Sequence, residues 1–401
     1  MSKYKRVLLG EVAIQNGIQT GPFGSQLKAE EYSESGIPVV MPKDIHGGLI
    51  TEKSIARISE KKALKLNKHK IVPGDLIFPR RGDLRRIGVT LQKNAGWICG
   101  TGCLRARLCK DVFPGFLHQY VLLDSVGKWL ERNALGQTML NLNTEIISGL
   151  PISLPPLPEQ KAIADLLSTW DEAIEKTERL IAKKQKFYEA QLSKHLSLGV
   201  SEPIKLKKFL KEVSKKNRDL SITQVLSVTN SKGFVRPEDH FDRQVASDNL
   251  SNYKIVSKGE YAYNPSRINV GSIARLDGWN FGVLSPMYTV FEIKKTSELN
   301  TDLFLHWLNS HEAKQRIKLS AQGSVRETVS FDDFCAIGFP KIEFKEQKAL
   351  AEYFTLVSEE IEALKALSEK YKTQKRGLMQ KMLTGEWRIR KDILKSYEEV
   401  R

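Results

Sequence analysis

The sequence predicts an α/β (α+β) architecture used twice: two mixed modules joined by two long antiparallel coiled-coil helices, with a pseudo-two-fold internal repeat. Three observations carry this. Glu159-Gln160-Lys161-Ala162 recurs as Glu346-Gln347-Lys348-Ala349, an offset of 187 residues. Each copy opens a long stripe of apolar residues at helical spacing. Ahead of each stripe lie short apolar runs between turn residues, the pattern of strands.

The repeat runs beyond the tetrapeptide. At the same offset Ile174 meets Ile361, Leu180 meets Leu367 and Leu192 meets Met379. Gly136, in Gly136-Gln137-Thr138-Met139-Leu140-Asn141, meets Gly323, in Gly323-Ser324-Val325-Arg326-Glu327-Thr328. Gly74-Asp75 matches Gly259-Glu260 at an offset of 185. The expected division is a first module over 1–154, a first helix over 155–199, a second module over 200–340, and a second helix with a tail over 341–401.

In the first module Pro38-Val39-Val40-Met41 and Asp75-Leu76-Ile77-Phe78 read as strands. Arg105-Ala106-Arg107-Leu108 alternates, with both arginines on one face. Residues 116–131 have helical periodicity. Pro155-Pro156-Leu157-Pro158 cannot enter a helix interior, so the first long helix opens there, with Glu159 at its positive end. Its stripe is Ile163, Leu167, Trp170, Ile174, Ile181 and Tyr188, with Thr177 and Lys184 between. In the second module Thr223–Val228 and Met287–Ile293 read as strands and 301–317 as helical. The second stripe is Leu350, Phe354, Val357, Ile361, Leu364, Tyr371 and Leu378, with Ser368, Lys375 and Met382 in phase. Gly199 and Gly385 are the expected stops. Steps alternating between four and three describe a coiled-coil seam. Two such helices packed antiparallel bury each other's stripes and set the modules at opposite ends. About 38 residues at roughly 1.5 Å each make a rod of roughly 57 Å.

The chain has 401 residues, with 63 Lys and Arg against 47 Asp and Glu, a net charge of +16. The first helix, Glu159–Ser197, is net zero and the second, Lys341–Gly385, is +2, so +14 falls elsewhere. A neutral rod with basic ends points to a polyanionic partner, double-stranded DNA above all. No run of about 20 apolar residues occurs, which excludes a membrane span. The basic start Met1–Arg6 is followed too soon by Glu11, Gln15 and Asn16 to be a secretory core, and the expected compartment is the cytoplasm. Cys99, Cys103, Cys109 and Cys335 lack zinc-site spacing and read as buried free thiols.

Polar readers concentrate in loops. One is Pro79–Arg86, with Arg80, Arg81, Arg85 and Arg86; another is Asn264–Asn269, with Asn264, Ser266, Arg267 and Asn269. They occupy equivalent places, just after the matched Gly-acidic turn. Arginine pairs with guanine, asparagine with adenine, and both bind phosphate. Gly21–Lys28, with Ser25 and Lys28, is a third candidate, and Thr229–Gly233, with Asn230 and Lys232, holds the comparable early position in the second module. Lys43 joins the DNA-binding set, and Tyr263 and Trp279 are possible stacking surfaces. Catalytic signals are missing: there is no P-loop and no Gly-x-Gly-x-x-Gly. Asn264-Pro265-Ser266-Arg267 lacks the aromatic of an adenine methyltransferase tetrad, and Asp75 and Asp83 are isolated carboxylates. Two other readings remain open: a non-DNA coiled-coil scaffold, and an enzyme acting alone as methyltransferase or nuclease.

Leu157-Pro158-Glu159-Gln160-Lys161-Ala162-Ile163-Ala164, its echo Phe344–Ala351, and the helix end Gly377–Gly385 resemble the specificity subunit of type I restriction-modification enzymes. Gly21-Pro22-Phe23-Gly24-Ser25 and Val72–Ile77 are similar to stretches of that family's first recognition module. The resemblance covers nearly the whole chain. It implies that each module is a target recognition domain reading one half of a bipartite, asymmetric DNA site. The helices would be the conserved spacer, spanning at most about 17 bp at roughly 3.4 Å per step. Two modification (methyltransferase) subunits would dock on it, bringing S-adenosylmethionine and adenine-N6 methylation. Restriction subunits would bring ATP- and Mg-dependent translocation and cleavage. The chain itself would catalyse nothing and hold no cofactor or metal. One departure is Ile342-Glu343-Phe344-Lys345, where the proline-rich entry of the first helix would map.

Overall fold

The structure is a computed structural model and describes residues 4–136, 140–197, 203–230, 232–239, 249–321 and 328–398. The chain forms two compact units. One joins Met1–Lys176 to Ser368–Arg401, and the other is Thr177–Leu367. The boundaries fall inside the two long helices, Leu157–Leu196 and Phe344–Leu383. Both helices have 40 residues, and the offset of 187 relates both their starts and their ends.

The first unit begins with β1 (Lys5–Leu8), β2 (Ala13–Thr20), β3 (Leu76–Pro79) and β4 (Cys103–Leu108). Helices α1 (Pro114–Val121) and α2 (Asp124–Asn133) follow, then β5 (Pro151–Leu154). The segment read as one helical stretch is thus two helices, broken at Leu122-Leu123. The main sheet runs β2–β4–β3 and continues through Gly88–Val89, Leu49–Ile50 and Ile45–His46. A second sheet holds Ile98–Cys99, Ile37–Val40, Ala56–Ile58 and Tyr32–Ser33. β1 pairs antiparallel with β5, so the first and last strands of the module close on each other.

Strand period two divides β4 cleanly. Leu104 and Ala106 enter the core. Arg105 and Arg107 take the other face and hold backbone there. Arg105, only 5% exposed, donates to the carbonyls of Lys68, Lys70 and Asn16 and to Gln19 Oε1. Arg107 forks Asp75 with two 2.8 Å bonds. Asp75 also accepts the Val72 N–H, closing the turn at Gly74. Gly74 has φ +89°, and a Cβ there would lie 2.8 Å from Pro114 Cγ, so the turn demands glycine. Asp75 is therefore structural rather than isolated.

The start of the first long helix explains its recurring pair. Gln160, 1% exposed, accepts the Phe113 N–H and donates to the carbonyls of Asp111 and Pro155. It ties the entry of α1 to the entry of the long helix. Glu159, also 1% exposed, is forked by Arg388 at 2.7 and 2.6 Å and receives the Tyr4 hydroxyl and the Ile389 N–H. The segment after the second long helix thus returns to the start of the first. Within this unit the two helices run antiparallel. Trp170 meets the edge of Tyr371, Asp171 pairs with Lys375, and Met382 and Leu383 share a core with Ile163 and Leu167. Gly385, at φ +77°, follows the second helix as its stop.

The second unit repeats the plan with different residues. β6 (Ile204–Lys205), β7 (Leu210–Val213), β8 (Tyr261–Tyr263), β9 (Ile273–Arg275) and β10 (Thr289–Ile293) precede α3 (Thr301–Asn309), α4 (His311–Ala321) and β11 (Gly338–Phe339). The sheet order is β7–β10–β8–β9, and β6 closes on β11. Of the two segments read as strands here, Met287–Ile293 contains β10, while Thr223–Val228 enters a strand only at Ser227 and Val228, with one bridge at Val225. Glu260 accepts the Ser257 N–H as Asp75 accepts that of Val72. Gln347, 3% exposed, accepts the Asn300 N–H and donates to the carbonyls of Glu298 and Ile342. All three partners stand 187 residues beyond those of Gln160. The core is aromatic, with Tyr261 stacked on Phe291 and Phe304 on Trp307. Here too the long helices are antiparallel: Lys184 pairs with Glu360, and Tyr188 meets the edge of Phe354. His306 shares hydrogen bonds with Tyr188 (2.7 Å) and Thr355 (3.0 Å), fastening α3 to both helices.

Gln160→Ala is expected to lower stability by about 1–3 kcal/mol, because three backbone groups lose their partner, and Gln347→Ala to do the same in its own unit. Urea unfolding followed by hydrogen exchange checks this, with protection lost in 111–113 or 298–300 respectively. Burial holds His306 down to about 4, below its ordinary 6.5, with Asp302 opposing and Arg275 assisting. The unfolded chain therefore takes up a proton first as pH falls. Stability of the second unit should be full above about pH 6.5 and drop by roughly 2 kcal/mol towards pH 4. His306→Gln should flatten that part of the pH–stability curve.

Candidate nucleic-acid interface

In the first unit three separate segments meet where β3 ends. The Arg80 guanidinium lies 4.4 Å over the ring of Phe23, from the Gly21–Lys28 loop. The Arg80 N–H donates to Gly102, whose Cα faces Pro42 on the turn carrying Lys43. Ser25, Lys28 and Lys43 are exposed on these segments. Arg81 donates to Asn141 at 2.5 Å, and Leu142 N–H donates to the Arg80 carbonyl at 2.9 Å. The loop is thus braced from both sides, with Arg80 fixed by stacking.

The loop's other arginines are placed differently. Arg85 turns to α2, where Asp124 holds it at 2.6 Å and Glu131 at 2.8 and 3.2 Å. Those carboxylates hold its proton more tightly than usual. Arg86 stays exposed, 3.8 Å from Asp83. Arg85 acts as a clamp between loop and helix, and its donors are already engaged.

In the second unit Asn264 is buried at 9% exposure. It accepts the Ser266 N–H and approaches Met287 Sδ at 3.9 Å, so it shapes the loop. Ser266 and Arg267 are exposed, and Asn269 is half-buried. This loop meets the 229–233 turn: Ser272 donates to the Val228 carbonyl, and Gly271 abuts Asn230. Asn230 and Lys232 are exposed; Ser231 lies outside the described residues. Tyr263 is fully buried with its hydroxyl on the Val329 carbonyl, and Trp279 packs against the core, so neither is a free stacking surface.

Sequence reasoning missed the third segment at each loop. Val329 N–H donates to the Pro265 carbonyl as Leu142 does to Arg80. The repeated stretch around Gly136 and Gly323 leads into these contacts. That repetition was the signal for it. Residues 137–139, 322–327 and Gly199 lie outside the described residues. Along the helices Ile163, Leu167, Phe354 and Ile361 are buried. Trp170, Ile174, Ile181, Tyr188, Leu350, Val357, Leu364, Tyr371 and Leu378 are half-buried, whereas Leu180 and Leu367 are exposed. Cys99, Cys103 and Cys335 are buried free thiols, and Cys109 is half-buried and free.

Among the described residues no group of three or more His, Cys, Asp or Glu side chains could hold a metal ion, and no helix is long and apolar enough to cross a membrane. The geometry is that of a surface with fixed cations and small polar groups.

Residues 1–183 match the family model of the type I restriction modification DNA specificity domain. A putative type I restriction enzyme MjaX specificity subunit of Methanocaldococcus jannaschii is 22% identical over 380 residues, covering 88% of each chain. The type I restriction-modification system S subunit from M. genitalium has a similar fold, with a TM-score of 0.60 at 16% identity over 95% of this chain and 96% of that one. A chain from a structure on complex assembly and conformational transition of the type I R-M system gives 0.57 at 16% identity, over 96% and 99%. The paired long helices and two Gln-clamped modules thus occur in a chain whose residues 1–183 match that DNA specificity domain and which over most of its length is similar to a type I specificity subunit.

Proposed function

We propose that this chain is the DNA-specificity subunit of a type I restriction-modification system. Its modules, over 1–154 and 200–340, act as target recognition domains for the two halves of a bipartite, asymmetric site. The helical segments 155–199 and 341–401 act as the spacer and carry the docking surface for two methyltransferase subunits. Those subunits, with S-adenosylmethionine, methylate adenine N6. Restriction subunits use ATP and Mg to translocate and cleave. This chain performs no chemistry and works in the cytoplasm.

One observation carries the reading. The same strand order, acidic turn and glutamine clamp occur in both units, while the loops at the end of β3 and of β8 differ wholly in side chains. A constant frame with changed loop chemistry suits two readers of two different sequences. Arg80 and Arg81 suit guanine in the major groove, while Ser266, Arg267 and Asn230 present another donor and acceptor pattern.

Methylation mapping of DNA from cells carrying this chain with its methyltransferase subunit, against cells lacking this chain, tests the proposal. A bipartite motif with N6-methyladenine in each half is expected. Unchanged methylation, with both proteins expressed and bound together, would favour the non-DNA scaffold. Arg80→Ala should cost about 1–3 kcal/mol of discrimination and relax one half of that motif only. Arg85→Ala should leave the motif intact, since its donors face Asp124 and Glu131. Both readouts come from the same mapping.

A further inference from the structure

The second unit carries a basic strip that the loop comparison from sequence passes over. β2 and β7 are counterparts. β2 pairs Thr20 with Leu104 of β4, which pairs with Phe78 of β3. β7 pairs Val213 with Val290 of β10, which pairs with Ala262 of β8. The segment leaving β2 is Gly21–Lys28, which meets Arg80. The segment leaving β7 at the corresponding edge is Ser214–Ile222. By topology this segment, and not Thr229–Gly233, is the counterpart of Gly21–Lys28.

Its shape is built. Asn217, fully buried, donates through its backbone to Tyr253 and through its side chain to the Ile222 carbonyl, and accepts the Ile222 N–H. Ile255 N–H donates to the Lys215 carbonyl, and Lys216 bridges Lys254. Lys254 Nζ reaches the Tyr288 carbonyl, one residue from Met287, which touches Asn264. A chain of contacts therefore connects the strip to the candidate loop.

Lys215, Lys216 and Arg218 are left exposed around a pocket also walled by Ile222, Ile255 and Phe281. None of the three side chains makes a hydrogen bond or ion pair among the described residues. The pocket's carboxylate, Asp219, accepts the hydroxyl and N–H of Ser221. Elsewhere in these units Arg85, Arg107, Arg275 and Arg388 are each held by carboxylates. Lys215 feels the charge of Asp219 and Glu260, yet none of the three cations is locked in a salt bridge, and on a rigid turn beside a candidate reading loop they complement a run of phosphates.

We propose that Lys215, Lys216 and Arg218 grip the phosphodiester backbone of double-stranded DNA alongside the second unit's half-site. This rests on the specificity-subunit reading. The strip positions the duplex and reads no base. The test measures DNA binding by the full chain assembled with its methyltransferase subunits, across a salt series, on target and scrambled duplexes. Arg218→Gln should lower the salt slope by about 1, and the triple Gln variant by about 3, with affinity falling roughly tenfold or more near physiological salt. The methylated motif should stay the same, and thermal midpoints report that both variants fold. An unchanged slope in variants of an assembly that binds its target overturns the proposal. So does weaker capture of the methyltransferase subunits with DNA binding intact, which would make the strip a protein-docking surface. A changed motif overturns it too, by making these residues base readers. Failure of the unmutated assembly to prefer its target removes the specificity reading itself, and the proposal with it.

Discussion

A buried carboxamide is the constraint on which each unit rests. Gln160 and Gln347 each satisfy one N–H and two carbonyls that no regular element serves. Only an amide side chain offers donors and an acceptor together at that reach. Glutamate there would aim acceptors at carbonyls, and an apolar residue would leave all three groups unpaired. The clamp holds the approach to α1, or to α3, against the entry of a long helix. Since those short helices pack against the sheet, the sheet's loops inherit their position from this one side chain.

Around that frame the charged residues divide into two kinds. Arg105, Arg107, Arg275 and Arg388 are spent on backbone carbonyls and carboxylates, and they hold turns and chain segments in place. Arg85 joins them on the surface. The net charge of +16 therefore overstates what is offered to a polyanion. Fewer cations, on defined loops, remain available. Arg80 is the best prepared, because stacking on Phe23 removes rotamer freedom before any partner arrives. Sequence counts cannot separate these populations, since both are written with the same letters.

The long helices and their phase were legible because period 3.6 leaves its mark in a single segment. Both begin and end at residues related by the offset of 187. The glutamine motif was legible as repetition, but its task was not, for its partners lie 47 and 49 residues away. Tyr263 and Asn264 looked available and are buried, since short strands and their ends give no reliable side-chain direction from sequence. Arg85 looked equivalent to Arg80, yet the helix carrying Asp124 and Glu131 comes to it from some 40 residues on. The counterpart of Gly21–Lys28 was misread for a similar reason. Order along the chain suggested Thr229–Gly233, while strand pairing selects Ser214–Ile222.

The return of Arg388 to Glu159, and of Met382 and Leu383 to the first unit's core, has a bearing on how the molecule is made. The second unit is one uninterrupted stretch of chain, complete once residue 367 has emerged. The first unit has most of its residues early but lacks Met382, Leu383 and Arg388, the partner of a buried carboxylate, until residues 368–388 are synthesised. Birth order and completion order are therefore reversed. During translation the earlier half waits for residues 368–388, with the part of its core that Met382 and Leu383 cover left open. A chain cut just after residue 367 would spare the younger half and strand the older.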